Sequence, residues 1–169
     1  MDTNAFYGTV SGLSFTLLGL WWVACQARSG WLERTGGQAM AYVVSLHFLI
    51  PGTMSLLAMV APDEPLIWRG VFALAGVLGV GSVVLISRQM APVTRAARQA
   101  RMLAWVGVPV YAITALVAVA PQLVETIGLS LAPLQIEGFL LTALILLGVQ
   151  AAWLLTFGPA TPDDGTHAD

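Results

Sequence analysis

Two ring side chains able to form hydrogen bonds, His47 and Tyr111, lie deep inside long apolar runs of the sequence. With an α-helical rise of about 1.5 Å per residue, each lies about 14 Å from the predicted cytoplasmic end of its run. An imidazole can gain or lose a proton near neutral pH, and a phenol can donate or accept a hydrogen bond. Hydroxyl side chains occur at comparable depths. We predict a mid-membrane polar layer formed by His47, Tyr111, Ser14, Thr16 and Thr114.

Two roles are open to such a layer. In the structural role, which we favour, His47 shares a hydrogen bond with Tyr111 or with a neighbouring hydroxyl and so links two helices. Contacts of this kind contribute about 0.6 kcal/mol in membrane proteins. In the functional role, the layer lines a water path or binds a ligand, and His47 titrates.

A second polar pair, Arg69 and Glu137, lies about one helical turn inside the other end of two further apolar runs. A charge at this depth is costly unless its side chain reaches water or finds a partner. We therefore predict that Arg69 and Glu137 form an ion pair, or share a polar pocket, near the outer membrane boundary.

Catalytic motifs do not occur in the sequence. It has no HExxH, no glycine-rich phosphate loop, no paired acids within one run and no nucleophile with a base at helical spacing. The single cysteine, Cys25, excludes an internal disulfide and a cysteine-cluster metal site. We predict a protein that is not an enzyme and uses no cofactor, no metal and no nucleic-acid partner.

The elements that would position these side chains are membrane-spanning helices. Hydrophobic residues make up 57% of the 169-residue chain and charged residues only 9%, a balance that a single water-soluble core does not accommodate. About 20 apolar residues are needed for a helix to cross a bilayer, whereas membrane strands are shorter and alternate in polarity. We predict an all-α integral membrane protein, a five-helix bundle with spans 5–25, 38–60, 66–87, 102–120 and 134–157.

The fourth and fifth spans have the weakest boundaries, because the fourth is short and the fifth begins with Gln135 and Glu137. A four-span protein with one of these segments in the interface is the alternative. Residues 1–158 form the predicted bundle. The remaining residues 159–169 form an acidic tail that we predict to be disordered.

Arginine placement predicts the orientation in the membrane. The chain has no lysine, and all but one of its seven basic residues lie in the links after the first and third spans. The positive-inside rule makes those links cytoplasmic, with the N-terminus outside and the tail inside. We predict a multi-pass protein of the inner membrane of a bacterium, and a first span that is retained because its start lacks the positive charges of a signal peptide.

The arginine-rich link itself has two interpretations. Arg88, Arg95, Arg98 and Arg101 lie on one side of a helical wheel and small apolar residues on the other, which is typical of a helix lying in the inner leaflet against anionic headgroups. A solvated turn that only sets the orientation is the alternative. Tryptophans near both predicted boundaries, among them Trp21, Trp105, Trp153 and Trp68, are typical of interfacial belts.

An internal duplication is a further prediction. Pro65-Leu66 and Gly70 match Pro133-Leu134 and Gly138 in spacing, and the spans before them also resemble each other. The protein would then consist of one helix followed by two parallel two-helix repeats, a plan known among transport proteins. Arg69 and Glu137 would be equivalent positions.

Glycines supply the surfaces through which helices would associate. Gly8, Gly12 and Gly19 share a face of the first span, and several more occur in the third. Small residues allow backbones to approach closely. We predict a non-catalytic membrane protein that acts through helix–helix association, as a homo-oligomer or as a small subunit beside other membrane proteins. The alternative is a homo-oligomeric channel or small transporter built around His47 and Tyr111.

Overall fold

The computed structural model describes residues 3–27, 29–32, 37–60, 64–89, 95–123 and 132–157. Within these ranges the protein is helical, with five long helices, one four-residue helix and no strand, so the all-helical prediction is confirmed. The helices are α1 (Thr3–Ala27), α2 (Ser29–Leu32), α3 (Gly37–Val60), α4 (Pro65–Gln89), α5 (Arg95–Val119) and α6 (Pro133–Phe157). The predicted tail 159–169 lies outside the described residues.

Two of the long helices begin at a proline. Pro65 is the first residue of α4, and Pro133 is the first residue of α6. The missing N–H of proline costs nothing at this position, because the first N–H groups of a helix have no partner within the helix. At the start of α6 the side chain of Gln135 accepts a hydrogen bond from the backbone N–H of Ala132 at 3.1 Å. This is one half of a capping box, and it makes Gln135 part of the start of the helix.

Four helices form a closed group in which α3 packs on α4, α4 on α5, α5 on α6 and α6 on α3. The first helix lies outside this group against α3 and α6. Because α3 packs against α1 as well as against α4 and α6, it is the most deeply buried of the long apolar helices. In its most apolar stretch, 61% of the residues are buried inside the protein.

Contacts along the helices establish their directions. The Trp21 indole donates to Ala41 O at 3.1 Å, while Gly8 lies beside Met59, so α1 and α3 are antiparallel. In the same way Arg69 reaches Ala118 and Gly76 lies against Tyr111 and Ala115, which makes α4 and α5 antiparallel. The Tyr7 end of the bundle therefore holds the starts of α1, α4 and α6 and the last turns of α3 and α5, and the arginine end holds the opposite ends.

Four helices are long and apolar enough to cross a membrane: Thr3–Ala27, Gly37–Val60, Leu66–Leu85 and Pro133–Phe157. The apolar part of α5, Trp105–Val119, is shorter. Large apolar side chains cover the outside of the bundle, as expected for a protein with lipid as its solvent.

The arginine-rich link does not form a separate helix in the part that the structure describes. Arg95, Arg98 and Arg101 belong to the first turns of α5, which continues unbroken to Val119. Arginine, alanine and glutamine are good helix formers, so the helix extends beyond the apolar residues that hydropathy detects. Residues 90–94 of the link lie outside the described residues.

The predicted tryptophan belts are only partly present. Trp105 and Trp153 are exposed near the arginine end, but Trp21 and Trp68 are buried at 4% and 8% exposure. Trp21 is held by its hydrogen bond to α3, and Trp68 packs edge-on against Phe72. These two rings are core residues because their apolar area is buried between helices.

Candidate functional site

His47 and Tyr111 meet in the interior of the bundle. Their rings are in edge-to-face contact with centroids 5.6 Å apart, and the side chains are 2% and 1% exposed. The predicted hydrogen bond between His47 and Tyr111 is nevertheless absent, and His47 Nδ1 lies 2.8 Å from Val43 O in its own helix instead. A carbonyl can only accept, so this contact requires the proton on Nδ1. The Tyr111 hydroxyl has no hydrogen-bond partner among the described residues.

Three glycines, one from each of three helices, make room for the His47 and Tyr111 side chains. A Cβ added to Gly79 of α4 would lie 2.3 Å from Tyr111 Cδ1, and one at Gly148 of α6 would lie 2.8 Å from His47 Cβ. At Gly107 of α5 the added Cβ would lie 3.0 Å from His47 Nε2. Real Cβ atoms stay at about 3.5–4.0 Å from such neighbours, so larger residues would displace the rings. These three positions form a glycine socket, which we define as Gly79, Gly107 and Gly148.

Thr16 does not belong to the polar layer. It is exposed on the outside of α1 and donates its hydroxyl proton to Gly12 O at 2.8 Å, whereas Ser14 is fully buried. Two residues apart, the side chains of an α-helix project about 200° from each other, so both cannot face the core. Ser14 itself lies against Gly52 in the α1–α3 contact, on another part of α3 from the His47 ring.

Thr114 lies one turn beyond Tyr111 on the same face of α5 and is fully buried. Its hydroxyl, like those of Ser14 and Ser55, has no hydrogen-bond partner among the described residues. Buried hydroxyls normally find a partner, either in the protein or in an internal water molecule. The core therefore holds several hydroxyl oxygens that make no hydrogen bond to any of the described residues.

The predicted ion pair between Arg69 and Glu137 is absent. Arg69 Nε donates to Ala118 O at 2.8 Å and Nη2 to Val119 O at 3.0 Å. The last carbonyls of a helix lack intrahelical partners and carry partial negative charge, so they attract a guanidinium group. Because Arg69 lies on α4 and Glu137 on α6, the end of the neighbouring α5 is closer to Arg69 than the carboxyl group is.

Glu137 is fully buried, and neither of its carboxyl oxygens has a hydrogen-bond partner among the described residues. The nearby Tyr7 of α1 lies within electrostatic range of Glu137, but it donates its hydroxyl proton to Leu134 O at 2.6 Å. On the following residue, a Cβ added to Gly138 would lie 2.7 Å from Phe6 Cε1. The first turns of α1 thus cover the start of α6.

At the arginine end, the predicted lipid-contacting side chains are accessible where they can be described. Arg88 and Arg98 are exposed and Arg101 is half-buried, while Arg95 is described only as part of α5. Exposed guanidinium groups at a bundle end can bind anionic headgroups.

The chemistry that the described residues can support is limited. They contain no group of three or more His, Cys, Asp or Glu side chains able to hold a metal ion. Cys25 is buried and unpaired. The groups that remain available are the orphaned core hydroxyls, the free Nε2 side of His47 and the Glu137 carboxyl.

Sequence reasoning missed three of the buried polar residues, Tyr7, Ser11 and Ser55. Tyr7 lies in the predicted first span, but its hydrogen bond to Leu134 O depends on how α1 packs against α6, which the sequence does not show. The glycine socket was visible as a set of glycines in the third, fourth and fifth spans, yet their common neighbours depend on helix rotation, which a sequence without strong amphipathic periodicity does not define.

No protein-family model matches the chain, and no match was found among curated proteins or among solved structures.

Proposed function

We propose that the chain is a five-span protein of a bacterial inner membrane, with the arginine end in the cytoplasm and the Tyr7 end outside. The support for a fifth span is the packing of α5 between α4 and α6, both of which are long enough to cross. A helix that lay in the interface could not pack along two spanning neighbours. The excess of arginine at one end supports the orientation.

This orientation can be tested by replacing single exposed residues with cysteine after Cys25 has been changed to serine. Arg98 and Glu64 are both exposed and lie at opposite ends of the bundle. We expect Glu64→Cys, but not Arg98→Cys, to react with a membrane-impermeant maleimide added to intact cells. The reverse labelling would place the arginine end outside and contradict the proposal.

We propose further that the protein is not an enzyme and acts through helix–helix association, with itself or as a small subunit beside other membrane proteins. The observation that carries this proposal is the position of glycines on the outside of the bundle. Gly12 and Gly19 of α1 and Gly70 and Gly81 of α4 have no atom within 4 Å of an added Cβ. Small residues on a lipid-facing surface allow close approach of a second helix.

Self-association can be measured by energy transfer between two labelled populations reconstituted in liposomes at decreasing protein-to-lipid ratios. We expect energy transfer between wild-type molecules, and less energy transfer when Gly12 and Gly19 are both changed to valine. The control changes the neighbouring exposed residues Leu13 and Leu20 to valine and should leave transfer unchanged. Transfer no greater than that of an unrelated membrane protein would contradict the homo-oligomer.

Permeation is the second candidate, and the orphaned hydroxyls of Ser14, Ser55, Thr114 and Tyr111 are the observation that favours it. Internal water molecules bound to these groups would supply polar atoms in the core, from which a homo-oligomer could build a channel. Proton flux into liposomes should then exceed that of empty vesicles and fall in His47→Ala. Equal background flux in both proteins would reject the channel.

For the partners at the arginine end, we propose anionic lipid headgroups. Arg88 and Arg98 are exposed there, and a surface arginine gains about 1 kcal/mol near an anionic leaflet. This interaction is independent of the association through α1 and α4.

A further inference from the structure

Glu137 is a buried acid for which the proposed association gives no role. It lies about one helical turn into α6, it is 0% exposed, and both carboxyl oxygens lack a hydrogen-bond partner among the described residues. No opposite charge among the described residues contacts the carboxyl group, and the side chain has no area exposed to the outside of the bundle. Transfer of an isolated charge into such surroundings is strongly unfavourable, and the usual result is that the group stays neutral.

The charged and titratable groups around it offer no compensation. From α1, Tyr7 faces the site, but its hydroxyl proton is already donated to Leu134 O. Arg69 of α4 is bound to the end of α5. The titratable groups that α3 and α5 contribute to the core, His47 and Tyr111, lie nearer the middle of the bundle by helical rise.

Hydroxyl oxygens that can accept a hydrogen bond from a neutral carboxyl group lie at a similar depth in the core, although none of them is hydrogen-bonded to Glu137. The Tyr7 oxygen retains a lone pair after donating to Leu134 O, and the unpartnered hydroxyls of Ser55 and Thr114 lie at a similar distance from the Tyr7 end of the bundle. A protonated carboxyl group is therefore better matched to this environment than a carboxylate.

Access to the carboxyl group is controlled by the first turns of α1. Phe6 lies against Gly138, and the hydrogen bond from Tyr7 to Leu134 O joins the two helices directly. Since Glu137 is only about one turn from the start of α6, separating these turns from α6 would bring it close to the water at the Tyr7 end.

We propose that Glu137 is a proton-binding site, which holds its proton while α1 covers the start of α6 and exchanges it when these two helices separate at the Tyr7 end. The ligand is a proton taken from the water at that end. A basic residue of a partner protein is a poorer match, because a side chain with no exposed area is not reachable from outside the bundle.

The test is infrared spectroscopy of the full chain in lipid nanodiscs at pH 7, where exposed carboxyl groups are ionised. A protonated carboxyl group has a carbonyl stretch separate from that of carboxylates, and this band shifts on exchange into deuterated water. We expect one such band in the wild type, its loss in Glu137→Gln and its retention in Glu64→Gln, where an exposed acid is changed.

Two further variants test the proposal by the same infrared measurement if Glu137→Gln does not fold. Glu137→Asp should keep a protonated carboxyl band at a shifted frequency, and Tyr7→Phe should speed the deuterium exchange of the wild-type band. Absence of any protonated carboxyl band in the wild type at pH 7 overturns the proposal and indicates a carboxylate paired with another group. A band that is unchanged in position in Glu137→Asp also overturns it, because the proton would then reside on another residue.

Discussion

The contact between α4 and α5 at Gly76 gives the sharpest test of the packing. A Cβ added there would lie 2.6 Å from the backbone oxygen of Tyr111 and 2.8 Å from both Cβ and the backbone nitrogen of Ala115. Two of these three atoms belong to the backbone, so rotation of a side chain cannot relieve the overlap. Contacts of this type settle at about 3.5–4.0 Å, and α4 and α5 must therefore move apart by about 1 Å in Gly76→Ala.

The cost of that movement follows from overpacking, which typically destabilises a protein by about 1–3 kcal/mol. Gly81 on the same helix provides the matched control, because no atom lies within 4 Å of its added Cβ. Both substitutions gain about 1 kcal/mol in helix propensity, and this gain cancels in the comparison. We expect Gly76→Ala to be less stable than Gly81→Ala by about 1–3 kcal/mol, a factor of about 5 to 150 in the folding equilibrium.

The free energy of unfolding can be measured by titrating the protein from mild micelles into dodecyl sulfate and following its circular dichroism and tryptophan fluorescence. Reversibility must be shown by dilution from the unfolded state. Equal stability of the two variants, or a more stable Gly76→Ala, would refute the close approach of α4 and α5 at this position.

Two more predictions use the same unfolding assay. Tyr7→Phe removes the hydrogen bond to Leu134 O and should destabilise the bundle by about 0.6 to 1.7 kcal/mol. The control Tyr42→Phe, at an exposed tyrosine, should have no effect. Equal effects of the two substitutions would contradict the hydrogen bond. Arg69→Gln removes two charged hydrogen bonds to the end of α5 and should destabilise by about 1.5–3 kcal/mol, whereas Arg98→Gln, at an exposed arginine, should cost less than about 0.5 kcal/mol. Loss of amide protection in the last turn of α5 only in Arg69→Gln would identify the contact, and unchanged protection there would argue against it.

The sequence was sufficient to predict the helices, because unbroken apolar length is a strong signal. Predicted spans 38–60 and 134–157 agree within a residue with α3 (Gly37–Val60) and α6 (Pro133–Phe157). The helix α5 begins seven residues before the predicted span 102–120, since hydropathy detects only the apolar part of a helix, here Trp105–Val119, and Arg95–Arg101 extends the helix with good helix-forming residues.

Depth along a helix could also be predicted, but rotation about its axis could not. Counting residues placed His47 and Tyr111 at one level, and their rings are in contact. Counting also placed Ser14 and Thr16 together, although they project to different sides of α1. In an apolar helix almost every face is hydrophobic, so the sequence gives little indication of which face is buried.

Choice of hydrogen-bond partner was the least predictable property. Arg69 and His47 both bind backbone carbonyl oxygens, Arg69 at the end of a neighbouring helix and His47 within its own. Backbone carbonyls occur at every residue and leave no mark in the sequence, whereas side-chain partners such as Glu137 can be read directly from it. Reasoning from side chains alone therefore favoured an ion pair that the fold does not contain. The duplication stays a prediction, although Arg69 and Glu137 have different surroundings.

The binding of Arg69 to α5 also bears on how the chain enters the membrane during synthesis. Arg69 is near the start of α4, and its two carbonyl partners are at the very end of α5, about fifty residues later in the sequence. While α4 is being inserted, those carbonyls do not yet exist at the membrane, and the guanidinium must rely on water or headgroups at the boundary. The α4–α5 hairpin is thus the shortest continuous piece of the chain that contains Arg69 together with both of its carbonyl partners.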